Sequence, residues 1–346
     1  MVIRRLLISR FSAMGDVAMC VPAVWSLAQE YKNLEIVFLS RKNFAPMFSQ
    51  MPDNVKFWGI DLKNDYKGIS GLNHLFAEIK KQNFDAYADF HDVLRTKYLK
   101  FRASLSGIKT AKIDKGRRDK KRITRKGAIN YKPLKTTSER YKNVLEKLGF
   151  EFEINFTSIY NKGFALPQEV AKICGEKTAK WIGIAPFAAH KGKILPLATT
   201  EKIVEILSDR ETKVFLFGAG EKEKSILEEW QAKYKNVVST AGKLGGLANE
   251  LPLISQLDCM LSMDSANMHL ASLVGTRAVS VWGATHPAAG FLGFNQKEED
   301  TIQITLPCRP CSIYGNKECR LKDKYLCLNS ITAESVVEKI LSVLNA

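Results

Sequence analysis

The sequence predicts an α/β protein built on open parallel sheets, and three observations carry that prediction. Strand-like apolar runs alternate with amphipathic helical segments near both ends of the chain, at residues 3–39 and again at 257–282. Small and polar residues gather where a strand meets the following helix, as at Asp264-Ser265-Ala266-Asn267. A length of 346 residues, 45% hydrophobic and 25% charged, is enough for two globular domains with full cores.

Taken in order, residues 3–9 (IRRLLIS) read as a first strand and residues 10–16 (RFSAMGD) as a loop. A helix follows over 17–31, with Pro22 near its first turn. Loop glycine such as Gly15 lets a ligand approach the backbone. Asp16 suits a helix start through the dipole, and a carboxylate there can also act as a base. The G-x-G-x-x-G glycines are missing, which disfavours a dinucleotide. Residues 35–39 form the next strand. Residues 84–96 (FDAYADFHDVLRT) read as a strand ending in a polar loop that gathers Asp89, His91 and Arg95. Arg95 and Lys97 are of the type that holds phosphate or carboxylate groups. Residues 109–126 carry ten Lys/Arg and two Asp, which predicts a mobile, solvated loop. Its functional reading is capture of an anionic membrane surface, at about 1 kcal/mol per basic residue. Without interleaved aromatics, nucleic acid is not indicated. A helix over 137–148 ends at Gly149, and breakers Asn161, Gly163 and Pro167 mark the passage to the second half.

That half opens with a strand over 181–186, a loop to Pro196, and a helix from Thr199 or Thr200 to Leu207. Lys191 and Lys193 stand in the loop, where an ammonium can neutralise diphosphate oxygens. The strand at 213–217 leads to Glu221 and Glu223, ordinary helix-start acids that could equally bind a diol. Residues 241–244 end a short strand, and a helix over 247–256 is interrupted or begun near Pro252. The run 257–263 then meets a helix over 268–274, closed by Gly275, and a strand over 278–282. A helix start at the carboxyl end of a strand is a natural seat for phosphate. Asp264 or Ser265 could cap it, with His269 one turn along. The last segment, 332–344, has helical apolar spacing at Val336, Val337, Ile340, Leu341 and Leu344.

The net charge of +16 is uneven: residues 1–165 hold 31 Lys/Arg against 16 Asp/Glu, and the rest 21 against 20. The first half therefore suits an anionic partner or is simply well solvated. No apolar run approaches the ~20 residues of a membrane span, and the start leads into a strand pattern rather than a signal peptide, so a cytoplasmic location is expected. Cys308, Cys311, Cys319 and Cys327 form a cluster that could bind structural zinc. Its long x7 spacings favour reduced thiols in a packed loop instead.

Residues 264–271 (DSANMHLA), Gly275-Thr276 and 283–287 (GATHP) resemble the donor-site signature of the bacterial ADP-heptose:lipopolysaccharide heptosyltransferases. The opening Arg10-Phe11-Ser12-Ala13-Met14-Gly15-Asp16-Val17 matches that family's R-x-S-[AS]-x-G-D-[VI]. Lys193-Ile194-Leu195-Pro196 fits its K-x-[WY]-P with Leu for the aromatic, and the hydroxyl residues upstream are Ala188 and Ala189 here. The resemblance covers nearly the whole chain and is weakest at 43–71 and in the basic run. It implies the GT-B fold, two Rossmann-like domains with parallel sheets facing across a cleft. Residues 1–163 would bind the acceptor and 164–328 the nucleotide sugar, with the helix of 329–346 packing back toward the first domain. The implied activity is a metal-independent, inverting transfer from ADP-heptose to an anionic glycolipid of the lipid A–Kdo type at the inner membrane, with no cofactor. Asp16 would be the base and Lys193 the counter-ion of the departing diphosphate. On the donor side the resemblance implies Lys191, Glu221, Glu223, Leu244, Asp264, Ser265, Ala266 and His269. On the acceptor side it implies Ser12, Gly15, His91, Arg95 and Lys97. Two rivals stay open: a related transferase with another nucleotide sugar, and a non-catalytic polyanion binder.

Overall fold

The computed structural model describes residues 3–126 and 132–345; Met1 and Val2, where the lead-in to the first strand begins, lie outside it. Five strands form the first sheet: β1 (Arg5–Ser9), β2 (Glu35–Arg41), β3 (Val55–Ile60), β4 (Ala86–Asp89) and β5 (Lys109–Lys112). Their order is β3-β2-β1-β4-β5 and every pairing is parallel. Helices cover such a sheet on its faces, so β1, β2 and β4 are apolar and buried along almost their full length. Six more strands form the second sheet: β6 (Lys180–Ala185), β7 (Thr212–Leu216), β8 (Val237–Ser239), β9 (Cys259–Met263), β10 (Ala278–Val281) and β11 (Thr301–Ile302). Their order is β11-β10-β9-β6-β7-β8, again all parallel.

Of the described residues, those up to Lys115 together with Thr137–Ile159 form one compact unit. Those within 116–136, with the chain from Tyr160 onward, form the other. In each unit the first strand lies between its second and fourth, so the order reverses between β1 and β4 and between β6 and β9. Loops leaving neighbouring strands at that point diverge and leave a crevice at the carboxyl ends of the strands.

Two expectations are corrected. The helix expected over 17–31 is two, Met14–Ala18 and Val21–Glu30. Pro22 has no N–H for the carbonyl one turn back and its ring crowds that carbonyl, so the first helix stops before it. The basic run is not a loop: it forms β5 and the helix Arg117–Lys126. Ile123 is buried in a small apolar cluster with Ala288, and the ammonium of Lys120 lies 4.0 Å from the centre of the Phe291 ring. One apolar side chain and one lysine stem thus fix a helix on which Arg117, Arg118, Asp119, Lys121, Arg122 and Arg125 are exposed. The terminal helix Ala333–Leu344 places Val336, Val337, Ile340 and Val343 in the core of the second unit, beside β9 and β10 and the helix Leu197–Ser208. Its apolar stripe is part of that core.

Candidate functional site

In the first unit, β1 and β4 deliver their loops to the crevice. Asp16 stands in the first turn of Met14–Ala18 and reaches back to accept the Ala13 N–H at 3.2 Å. The same oxygen, Oδ2, pairs with Arg10 Nη2 at 2.7 Å. Arg10 is buried; its Nη1 donates to the Phe90 carbonyl at 2.7 Å, and its guanidinium lies 5.7 Å from the Tyr141 ring centre. The Tyr141 hydroxyl donates to the Asp16 carbonyl at 3.2 Å. Arg10 thus joins the loop after β4 to the helix that carries Asp16, and fixes one carboxylate oxygen.

His91 faces the same loop. Its Nδ1 accepts the Phe11 N–H at 3.4 Å, which leaves the proton on Nε2, 3.4 Å from Ser12 Oγ. Burial, helped by the charges of Arg10, Lys115 and Arg41, pushes its pKa down to about 3, so the ring is neutral at physiological pH. Asp89 ends β4 fully buried, and its Oδ1 accepts the N–H of His91 at 2.9 Å and of Asp92 at 2.8 Å. Burial raises the Asp89 pKa. The turn it shapes puts Asp92 at a positive φ of 46°. Ser12, Asp16 and His91 are therefore gathered, and Gly15 is buried in the helix beside Asp16. Arg95 and Lys97 stand further out, exposed on the next helix, Leu94–Leu105; Lys97 lies 3.8 Å from Asp92, which Lys112 also approaches at 3.3 Å.

In the second unit the crevice between β6 and β9 holds Lys193 and Asp264, paired at 2.8 Å with 16% and 4% of their side chains exposed. Lys193 ends a single turn, Lys191–Lys193, after β6. The turn is clamped: Ala284 N donates to the Gly192 carbonyl at 2.8 Å. A Cβ on Gly192 would meet the Gly315 carbonyl at 2.9 Å, and one on Gly315 would meet Lys193 Cγ at 2.6 Å. The lysine stem therefore needs glycine at 315, whose φ of 73° also favours it. Lys191 is exposed, so of the two lysines Lys193 is the one paired inside the crevice.

Ser265 is the N-cap residue of Ala266–Leu273, yet no side chain caps that helix. The Ser265 hydroxyl lies 3.2 Å from that of Ser262, and Asp264 engages Lys193 instead. The expected cap is thus not made, and no side chain caps the first N–H groups at the helix's positive end. His269 is buried on this helix. Glu223 accepts the Ala219 N–H at 2.8 Å and so closes the turn after β7, while Glu221 is exposed beside it. The Leu244 side chain is buried and so is not itself offered to a ligand; Gly245 and Gly246 follow it at positive φ.

Sequence reasoning missed Arg309. Buried, it donates to the carbonyls of Gly283 (2.6 Å), Trp282 (3.0 Å) and Thr285 (2.9 Å), to that of Ile304, and to Gln303 Oε1 (3.1 Å). It holds the loop after β10, whose Ala284 in turn holds Gly192. Arg10 stood in the quoted motif without a role. Arg309 and Gly315 lie in an aperiodic tail that carries no local signal.

The four cysteines of the tail lie close enough to feel one another's charge. Cys308, Cys311 and Cys319 line a cavity of about 590 Å³ together with Lys121, Arg125, Lys317 and Arg320. Cys327 lies in the apolar core, where burial pushes its thiol up to about 11. Among the described residues no group of three or more His, Cys, Asp or Glu is placed to hold an ion.

Residues 73–323 match the model of glycosyltransferase family 9 (heptosyltransferase). The chain is 21% identical to lipooligosaccharide heptosyltransferase 2 of Campylobacter jejuni, over 94% of this chain and 95% of that one. Among solved structures it resembles a family 9 glycosyltransferase of Veillonella parvula, with a TM-score of 0.75 at 18% identity, covering 99% of this chain and 97% of the other. It also resembles the heptosyltransferase WaaC of E. coli with ADP-2-deoxy-2-fluoro heptose, with a TM-score of 0.68 at 16% identity, covering 99% and 100%. The two doubly wound units are those of the GT-B fold. A family match over residues 73–323 of 346 shows that the chain belongs to glycosyltransferase family 9, the heptosyltransferases, and is a glycosyltransferase.

Proposed function

We propose that the protein transfers a heptose from ADP-heptose to the inner core of a lipopolysaccharide precursor, an anionic lipid A–Kdo-type glycolipid, at the cytoplasmic face of the inner membrane. The observation that carries this reading is the pairing of a nearly buried lysine, Lys193, with an uncapped helix start at a strand-order switch point. That is a seat for a diphosphate. The relative solved with an ADP-heptose analogue supports the donor. The positive first half suits an anionic acceptor.

The acceptor hydroxyl attacks the anomeric carbon on the face opposite the diphosphate. Asp16 takes its proton, through the carboxylate that Arg10 and the Ala13 N–H hold in place. The bond from anomeric carbon to phosphate oxygen breaks, and its electron pair leaves with ADP. Lys193 and the first N–H groups of Ala266–Leu273 meet the charge that develops there. Asp264 is an acid in a phosphate site and would repel the donor; it acts by holding Lys193. Neutral His91 and Ser12 orient the acceptor, and Arg95 and Lys97 pair with its anionic groups. Lys191, Glu221, the Leu244 backbone, Ser265 and His269 complete the donor side. The chemistry requires no metal ion or cofactor.

ADP, but not UDP or GDP, should raise the melting temperature, and ADP-heptose should be consumed only with an inner-core acceptor. Asp16→Asn should lower turnover by about 10²- to 10⁴-fold with ADP affinity unchanged. Stabilisation by another nucleotide would assign another donor. Salt-sensitive binding of any polyanion with no nucleotide preference would leave a binder rather than an enzyme.

A further inference from the structure

The helix Leu94–Leu105 shows water a second apolar face. Thr96, Leu99 and Ala103 are buried on one side and fasten it to the first unit. On the other, Leu94, Phe101 and Leu105 are 87%, 58% and 71% exposed. With Tyr98 they follow the spacing 4, 3, 4, a single stripe along the helix. The stripe continues onto the helix Gly68–Lys81, where Ile69 is 72% exposed. Asn73 accepts from Arg102 at 2.8 Å and bonds Tyr98, and Arg102 covers the Phe76 ring at 4.7 Å. The two helices therefore run side by side in one direction, with Ile69 near the Leu94 end. Apolar side chains scattered singly need no explanation, but an aligned set does.

We infer that this stripe is a membrane-docking surface, whose occupant is the headgroup and upper acyl region of an anionic phospholipid bilayer. Charge supports that occupant. The helix carries Arg95, Lys97, Lys100 and Arg102 and no acidic residue. Large apolar side chains flanked by cations are the signature of a helix lying in an anionic interface. A second copy is the poorer fit: two such helices, each with four cations and no acid, would repel, and four side chains fall short of the roughly 20 to 30 residues a side of a stable interface. Position agrees too. Leu94 begins three residues after His91, so a bilayer against the stripe would present its lipid-held glycan beside the loop of Ser12 and His91. The purpose of the surface rests on the proposed membrane-held acceptor; its existence does not.

The test is co-sedimentation of the full chain with vesicles of phosphatidylcholine, alone or mixed with phosphatidylglycerol. Wild type should partition onto the mixed vesicles. The triple variant Leu94→Ser, Phe101→Ser, Leu105→Ser should lose on the order of tenfold or more, with an unchanged melting temperature because all three side chains are exposed. Its turnover on detergent-dispersed acceptor should match wild type while turnover on vesicle-held acceptor falls. Equal partitioning of variant and wild type would overturn the proposal. So would a wild-type dimer that the variant dissolves, which would make the stripe a contact between copies. Stripe-dependent partitioning in a protein that transfers no heptose would support the surface and reject only the activity.

Discussion

Replacing Lys193 by Ala separates what its ion pair does for the fold from what it does for the donor. Asp264 has 4% of its side chain exposed and its carboxylate meets Lys193 Nζ at 2.8 Å. Removing the lysine leaves a buried charge without its partner, which costs about 3 to 5 kcal/mol. Lys193 is 16% exposed, so water can reach part of the vacated space and the lower figure, about 3 kcal/mol, is expected. For a unit of this size that is a fall of about 6 to 12 °C in melting temperature. Adding Asp264→Asn removes the stranded charge and should return most of the stability. It cannot return the donor site. Losing one charge-assisted contact to the diphosphate should weaken ADP binding by about 10- to 150-fold, corresponding to 1.5–3 kcal/mol, in the single and double variants alike. Chemical denaturation reads the first quantity and calorimetric titration with ADP the second. If the double variant bound ADP as wild type does, Lys193 would be a structural lysine and the donor seat would lie elsewhere. If the single variant were as stable as wild type, the pair would not be the fixed point of the crevice.

The strands and their polar ends were legible because a parallel sheet demands continuous apolar runs. The runs at 3–9 and 257–263 are followed at once by Ser12-Ala13-Met14-Gly15-Asp16 and by Asp264-Ser265. The edge strand β3 escaped notice since only Ile60 of its six residues is buried, which leaves no apolar period to read. The terminal helix showed its stripe plainly, but a stripe names no partner, and the core beside β9 claimed it. Charge density misled over 109–126 because one buried side chain, Ile123, is too little for a period and yet enough to seat a helix. The motif residues were found one by one; their pairing was not. That Lys193 meets Asp264 depends on β6 lying beside β9, a fact of strand order that local pattern does not contain.

Two further perturbations probe the supports of each crevice. The first is acid. His91 is held at about 3, by burial first and then by Arg10, Lys115 and Arg41, and burial with Arg309 holds His286 at about 4. Both stay neutral when folded, whereas unfolded imidazoles take up protons below about 6.5. The unfolded state then binds more protons, so stability is full above that pH and is lost as pH falls toward 4. By pH 5, His91 alone should account for about 2 kcal/mol. His91→Gln should flatten the dependence of stability on pH between 7 and 5, and an unchanged slope would show that the ring is solvated. The second is Arg309→Lys. An ammonium cannot span the oxygens of Trp282, Gly283, Thr285, Gln303 and Ile304 that the planar guanidinium reaches. At least two buried acceptors would go unmet, at about 1 to 3 kcal/mol each. The loop they shape carries Ala284, whose N–H holds the Gly192 carbonyl and with it the turn that presents Lys193. Stability and ADP affinity should therefore fall together, although Arg309 lies outside the residues assigned to the donor. A variant that lost stability but bound ADP normally would show that the Lys193 turn holds its shape without the loop after β10.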